Sequence, residues 1–135
     1  MQRSEENIKL LQELPDTSSR IAAVFLITME WIESELGRDI YQKYGIYRMQ
    51  MVMRGEDDRN LRSAFIGILE HVMWMGQEAG EIRQDISSEE LAYQLEWLFA
   101  STVADWLIAP EKFSLQESVN RKIDMFWNGL AAREG

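Results

Sequence analysis

Apolar residues along this chain recur every three or four positions in six successive stretches, and both prolines, Pro15 and Pro110, fall between stretches. That spacing places them on one face of an α-helix. No stretch alternates apolar and polar residues as a strand would, and no Asn-Gly or Asp-Gly hairpin signal, repeat or low-complexity tract occurs. The pattern predicts an all-α fold of about six helices in an antiparallel bundle, with residues 1–135 as one domain.

The first helix is read from about Ser4 to Leu14, where Pro15 stops it. The second opens at Asp16, a good N-cap, and ends before Gly37, with Ile21, Val24, Phe25, Met29, Ile32 and Leu36 on one face. The third covers about Asp39–Met53, with Ile40, Tyr44, Tyr47 and Met51 in line and a kink expected at Gly45. The fourth covers about Asp57–Ala79. It aligns Leu61, Phe65, Ile68, Leu69, Val72, Gly76 and Ala79, and leaves Trp74 nearly opposite.

A helix stop and a helix start then meet in "AGEIRQDISSEEL". Gly80 is placed to end the fourth helix in a left-handed conformation, with Ile82 and Ile86 facing the core. Ser87 and Glu90 form a capping box for the fifth helix, with Ile86 and Leu91 as its hydrophobic staple, and Ser114 and Glu117 form a second box for the sixth. Glu81 and Asp85 read as solvated residues of the joint.

The last two helices are apolar on two sides. On the fifth, Leu91, Leu95, Leu98, Thr102 and Trp106 share one face, and Trp97, Ala100, Ala104 and Ile108 another. The sixth carries Leu115, Val119, Ile123, Phe126 and Leu130 on one side, with Trp127 at its edge and Met125 and Gly129 elsewhere. Two stripes mean burial on two sides, either inside one bundle or against a partner chain. The partner reading makes Trp97, Ala100, Ala104, Ile108, Met125, Trp127 and Gly129 a candidate homodimer interface, a four-helix contact between two copies.

Composition narrows the function classes. The net charge is −9, with 14 basic residues scattered among 23 acidic ones, so the clustered Lys and Arg that a phosphate-gripping domain needs are missing. There is no cysteine, hence no disulfide framework or thiolate metal site. The longest apolar run, "IAAVFLITMEWI", is interrupted by Glu30 and falls short of the roughly 20 residues a membrane helix requires. The polar start "MQRSEENIK" has no signal-peptide centre, so a cytoplasmic location away from membranes is expected.

Catalytic chemistry finds little support, and no enzyme and no cofactor are expected. His71 is the only histidine, Ile68 stands where a Glu-x-x-His iron motif needs Glu, and neither "GEDDRNLRS" nor "DISSEE" has calcium-loop spacing. Methionines on the third and fourth helices (Met49, Met51, Met53, Met73, Met75) and neighbouring aromatics are either core filler or the wall of an adaptable pocket. On the pocket reading, the candidate ligand-binding residues are Phe25, Thr28, Met29, Tyr47, Met51, Phe65, Leu69, Met73, Phe99, Thr102 and Trp106.

The C-terminal half resembles the last three helices of TetR/AcrR-type transcriptional regulators. Gly80, Glu81, Ile82, Arg83, Asp85 and Ile86 fit the turn G-E-[IL]-R-x-D-[IL]. Trp106, Pro110, Phe113 and Leu115 fit the connector W-x-x-x-P-x-x-F-x-L, and Phe126, Gly129, Leu130 and Ala131 fit the closing pattern. The resemblance implies an effector-binding and dimerisation domain: a small apolar or amphipathic molecule binds between the earlier helices, and the last two pair with a second copy. That family reaches DNA through an N-terminal helix-turn-helix domain, for which this chain has no counterpart; residues 1–14 fit at most the tail of a linking helix. The alternative is a helical protein–protein interaction module with a filled core and no small-molecule site.

Overall fold

Residues 9–58, 63–112 and 114–132 are described by a computed structural model. The described residues form six helices, so the all-α expectation holds. Helix α1, described over 9–13, runs into the break at Pro15 and is tied to helix α2 (Thr17–Glu33) by the buried Arg20. Its Nε donates to the Leu11 carbonyl and its Nη2 to that of Leu14, each at 2.9 Å. The Leu14 carbonyl at the end of α1 is satisfied in this way, and that of Leu11, which also accepts from the Leu14 N–H at 3.2 Å, gains a second donor. Asp16 caps α2 as its residue type suggests, accepting from the Ser19 N–H at 2.8 Å.

The next boundary departs from expectation. α2 ends at Glu33, and helix α3 (Glu35–Met53) begins ahead of Gly37, which lies in its first turn. Ser34 makes the break: its Oγ donates to the Trp31 carbonyl at 2.5 Å and accepts from the Gly37 N–H at 3.1 Å. A Cβ at residue 37 would stand 2.1 Å from the Trp31 carbonyl oxygen. The glycine therefore serves close approach between two helices and terminates neither. The buried side of α3 also differs from the apolar line expected of it: Gly37, Tyr41 and Arg48 face inward, while Ile40 and Tyr47 face solvent. An arginine holds the inward position because its charge is matched there.

Helix α4 (Ser63–Glu78) starts later than Asp57, and Asp57 and Asp58 belong to the connection before it. Leu61 and Phe113 lie outside the described residues. Trp74 does face away from the core. Gly80 ends the helix with φ +72°; its N–H donates to Gln77 at 3.1 Å and that of Glu81 to Gly76 at 2.9 Å, a Schellman closure. Ser87 and Ser114 accept from the N–H groups of Glu90 and Glu117 and start helices α5 (Ser88–Ile108) and α6 (Leu115–Leu130).

Between α4 and α5 the joint binds most of its surroundings. Ile82 is buried, the Arg83 N–H donates to Leu130, and the Ala132 N–H donates back to Glu81. The Gln77 side chain donates to the Arg83 and Ile86 carbonyls. Glu81, expected to be solvated, instead accepts from the Thr17 N–H at 2.8 Å, placing a negative charge at the start of α2. Asp85 remains at the surface, paired with Arg83. α5 packs along α4, and α2 lies against α3, α4 and α6. Among the described residues no helix is long and apolar enough to cross a membrane.

Three glycine substitutions separate these roles in urea unfolding. Gly80→Ala is expected to lose about 1 kcal/mol through its left-handed backbone. Gly37→Ala is expected to lose more, about 1–3 kcal/mol, because the new methyl group meets a backbone oxygen. Gly45→Ala, within α3 and with open space around it, is expected to gain about 0.5–1 kcal/mol.

Candidate functional site

The residues expected to line a pocket fall into two groups. Phe25, Met29, Leu69, Met73, Phe99, Thr102 and Trp106 are buried in the core. Phe25 stacks on Phe99 with ring centroids 4.6 Å apart, and Phe65 packs against both at 6.2 and 5.9 Å. The Thr28 and Thr102 hydroxyls donate to carbonyls one turn back on their own helices, those of Val24 and Leu98. Tyr47 is exposed on the outer side of α3, and Met51 is half-buried.

A cleft of about 690 Å³ opens elsewhere, between α3 and α5. Tyr44, Met49 and Met53 form its α3 wall, and Trp97, Ala100, Ala104 and Ile108 its α5 wall. These α5 residues are the ones expected at a dimer interface, whereas none of the expected ligand set lines the cleft. Ile108 is 83% exposed, and Met125 and Gly129 on α6 are also exposed, with Trp127 half-buried against the core. The cleft runs along the second apolar side of α5, where α3 packs at Trp97 and stands apart toward Ile108.

Beneath the cleft lies a group of charges that periodicity did not reveal. The Arg48 guanidinium, only 3% exposed, donates from Nε to Asp58 Oδ2 at 2.6 Å and from Nη1 to Glu96 Oε2 at 2.8 Å. Its Nη2 stands 2.6 Å from Glu96 Oε1 as a charge contact. The Tyr93 hydroxyl donates to the other Asp58 oxygen at 2.7 Å, and the Trp97 ring covers the guanidinium with its centroid 3.7 Å away. Burial pulls the Arg48 guanidinium down, but hydrogen bonds to Glu96 and Asp58 outweigh it and hold the group above its ordinary range. Burial pushes the Asp58 carboxyl up, but hydrogen bonds from Arg48 and Tyr93 leave it below its ordinary value. The sequence held one usable clue: Arg48, Asp58 and Glu96 interrupt otherwise apolar or loop positions, and Glu96 lies between Leu95 and Trp97.

Among the described residues no three His, Asp or Glu side chains converge as a metal site would need. His71 is on α4, stacked on Trp74 with centroids 5.9 Å apart, and does not line the cleft. Among the described residues, the polar members of the cleft wall are the amides Gln42 and Gln50, the phenols Tyr41 and Tyr44, Ser101, Asp105 and the neutralised Arg48.

Removing one member of the charge group leaves uncompensated charge out of water. Arg48→Met is expected to destabilise the protein by about 3–5 kcal/mol in urea unfolding, and combining it with Asp58→Leu and Glu96→Leu to recover most of the loss. The Asp58 contribution carries a definite sign with pH. Because its folded value lies below the unfolded 3.8, the contribution is complete above 3.8 and disappears as pH falls through the folded value. The stability difference between the parent and Asp58→Asn should therefore be constant near neutrality and shrink in acid.

No protein-family model, no curated protein and no solved structure matches the chain.

Proposed function

We propose that this chain is the ligand-sensing and dimerisation domain of a TetR-like transcriptional regulator. It takes a small apolar or amphipathic effector in the α3–α5 cleft, pairs with a second copy through α5 and α6, and acts on DNA through a separate helix-turn-helix domain. The observation that carries this reading is the cleft itself, an apolar concavity of about 690 Å³. The resemblance at the α4–α5 joint and along α6 supports the class. Trp97, Ala100, Ala104 and Ile108 belong both to the cleft wall and to the proposed dimer face. A bound effector thus changes the surface that α5 offers to its partner and shifts the population between two dimer geometries.

Packing of Phe25, Phe65 and Phe99 favours a second reading, a helical interaction module without a small-molecule site. Light scattering and thermal unfolding separate the two. The leading reading expects a dimer at micromolar concentration, converted to monomer by Ile108→Glu. It also expects a rise in Tm with an apolar effector, since a ligand at about a hundred times its Kd adds about 2.7 kcal/mol. A dimer that no apolar or amphipathic compound stabilises supports the second reading, and a monomer without ligand response defeats both.

A further inference from the structure

The charges around the cleft distinguish between possible effectors. Among the described residues Arg48 is the one basic residue on its wall, and its guanidinium is closed off: two carboxylates hold its edge and the Trp97 ring covers its face. An anionic head group would find no open cation among the described residues of the cleft wall, and beneath it Asp58 and Glu96 outnumber Arg48. At the rim, the Asp105 carboxylate lines the cleft and is largely exposed; Lys122 on α6 approaches it only to 3.8 Å. So long and exposed a pair yields readily to a competing cation. Between rim and floor the wall is mainly apolar. From Ala100 to Ile108 it extends over about 12 Å of helix, faced by Met49 and Met53.

We propose that the cleft binds an amphipathic organic monocation, with its alkyl chain between Met49, Met53, Ala100 and Ala104 and its charged head on Asp105. This rests on the reading of the cleft as a small-molecule site. Methionine side chains adapt to an unbranched chain, and the two alanines leave room for it beside α5. Among the described residues, the surplus of Asp58 and Glu96 over Arg48 adds a field of the same sign as that of Asp105, so head-group charge decides among ligands of equal tail length.

The test compares three decyl compounds below their micellar concentrations: decyltrimethylammonium, decanol and decanoate. Binding is followed by calorimetry and by tryptophan fluorescence, Trp97 being in the wall. The cation is expected to bind at least about fivefold more tightly than the alcohol, and decanoate most weakly. Asp105→Asn should bring the cation to the level of the alcohol, and Ala104→Phe, at an exposed position that narrows the cleft, should weaken both. If decanoate binds as well as the cation, or Asp105→Asn leaves the preference intact, the cation proposal is overturned while the cleft reading stands. Failure of all three compounds to bind, or binding that is indifferent to Ala104→Phe, overturns the cleft reading with it.

Discussion

The arrangement of α2, α4, α5 and α6 depends on one short joint that leaves almost none of its polar groups idle. Gly80 turns the chain out of α4 by adopting a backbone conformation that a side chain would oppose. The residues that follow then bond to whatever lies nearest: Glu81 to the first turn of α2, Arg83 to the end of α6, and Ser87 to the first turn of α5. Buried peptide groups must find partners. Here the partners come from helices far apart in sequence, so satisfying the joint also fixes where those helices stand. Gly76 belongs to the same constraint. A Cβ there would meet Thr17 Oγ1 at 2.5 Å and the Ile82 side chain at 3.1 Å, so α4 presses directly on the start of α2 and on the joint.

Much of this was legible in the residues themselves. Helix count and type followed from periodicity, and the starts of α2, α5 and α6 from Asp16, Ser87 and Ser114, because capping is a local interaction between neighbours in sequence. Gly80 was legible for the same reason. Gly37 misled because a glycine after an apolar run looks like a terminator, whereas its reason here is a contact with Trp31 across the α2–α3 break. Glu81 looked idle because its partner is Thr17, and nothing in the local pattern connects them.

The cleft was the least legible feature. Methionines and aromatics drew attention to the interior, where Phe25, Phe65 and Phe99 pack ring against ring. The concavity lies instead along the second apolar face of α5, a face that sequence periodicity did detect but assigned to a partner chain. Its floor escaped notice because no local pattern joins Arg48, Asp58 and Glu96. A guanidinium between carboxylates can be buried only as a set, and membership of a set spread over α3, a connection and α5 is a three-dimensional property. α3 consequently turns Arg48 inward and leaves Ile40 and Tyr47 outside.

The joint also bears on the order in which the chain can fold. The caps at Asp16, Ser87 and Ser114 form between residues a few positions apart, so each helix start can be made early and locally. The bond between Thr17 and Glu81 closes 64 residues, and the pairing of Ile82 with Ala131 needs nearly the whole of α5 and α6 in place. Contacts of such separation form only after the entropy of closing a long loop has been overcome. The caps therefore carry a small loop-closure cost and the joint's long-range bonds a large one, so the segment that organises the finished bundle is also the one whose contacts cost the most chain entropy to make.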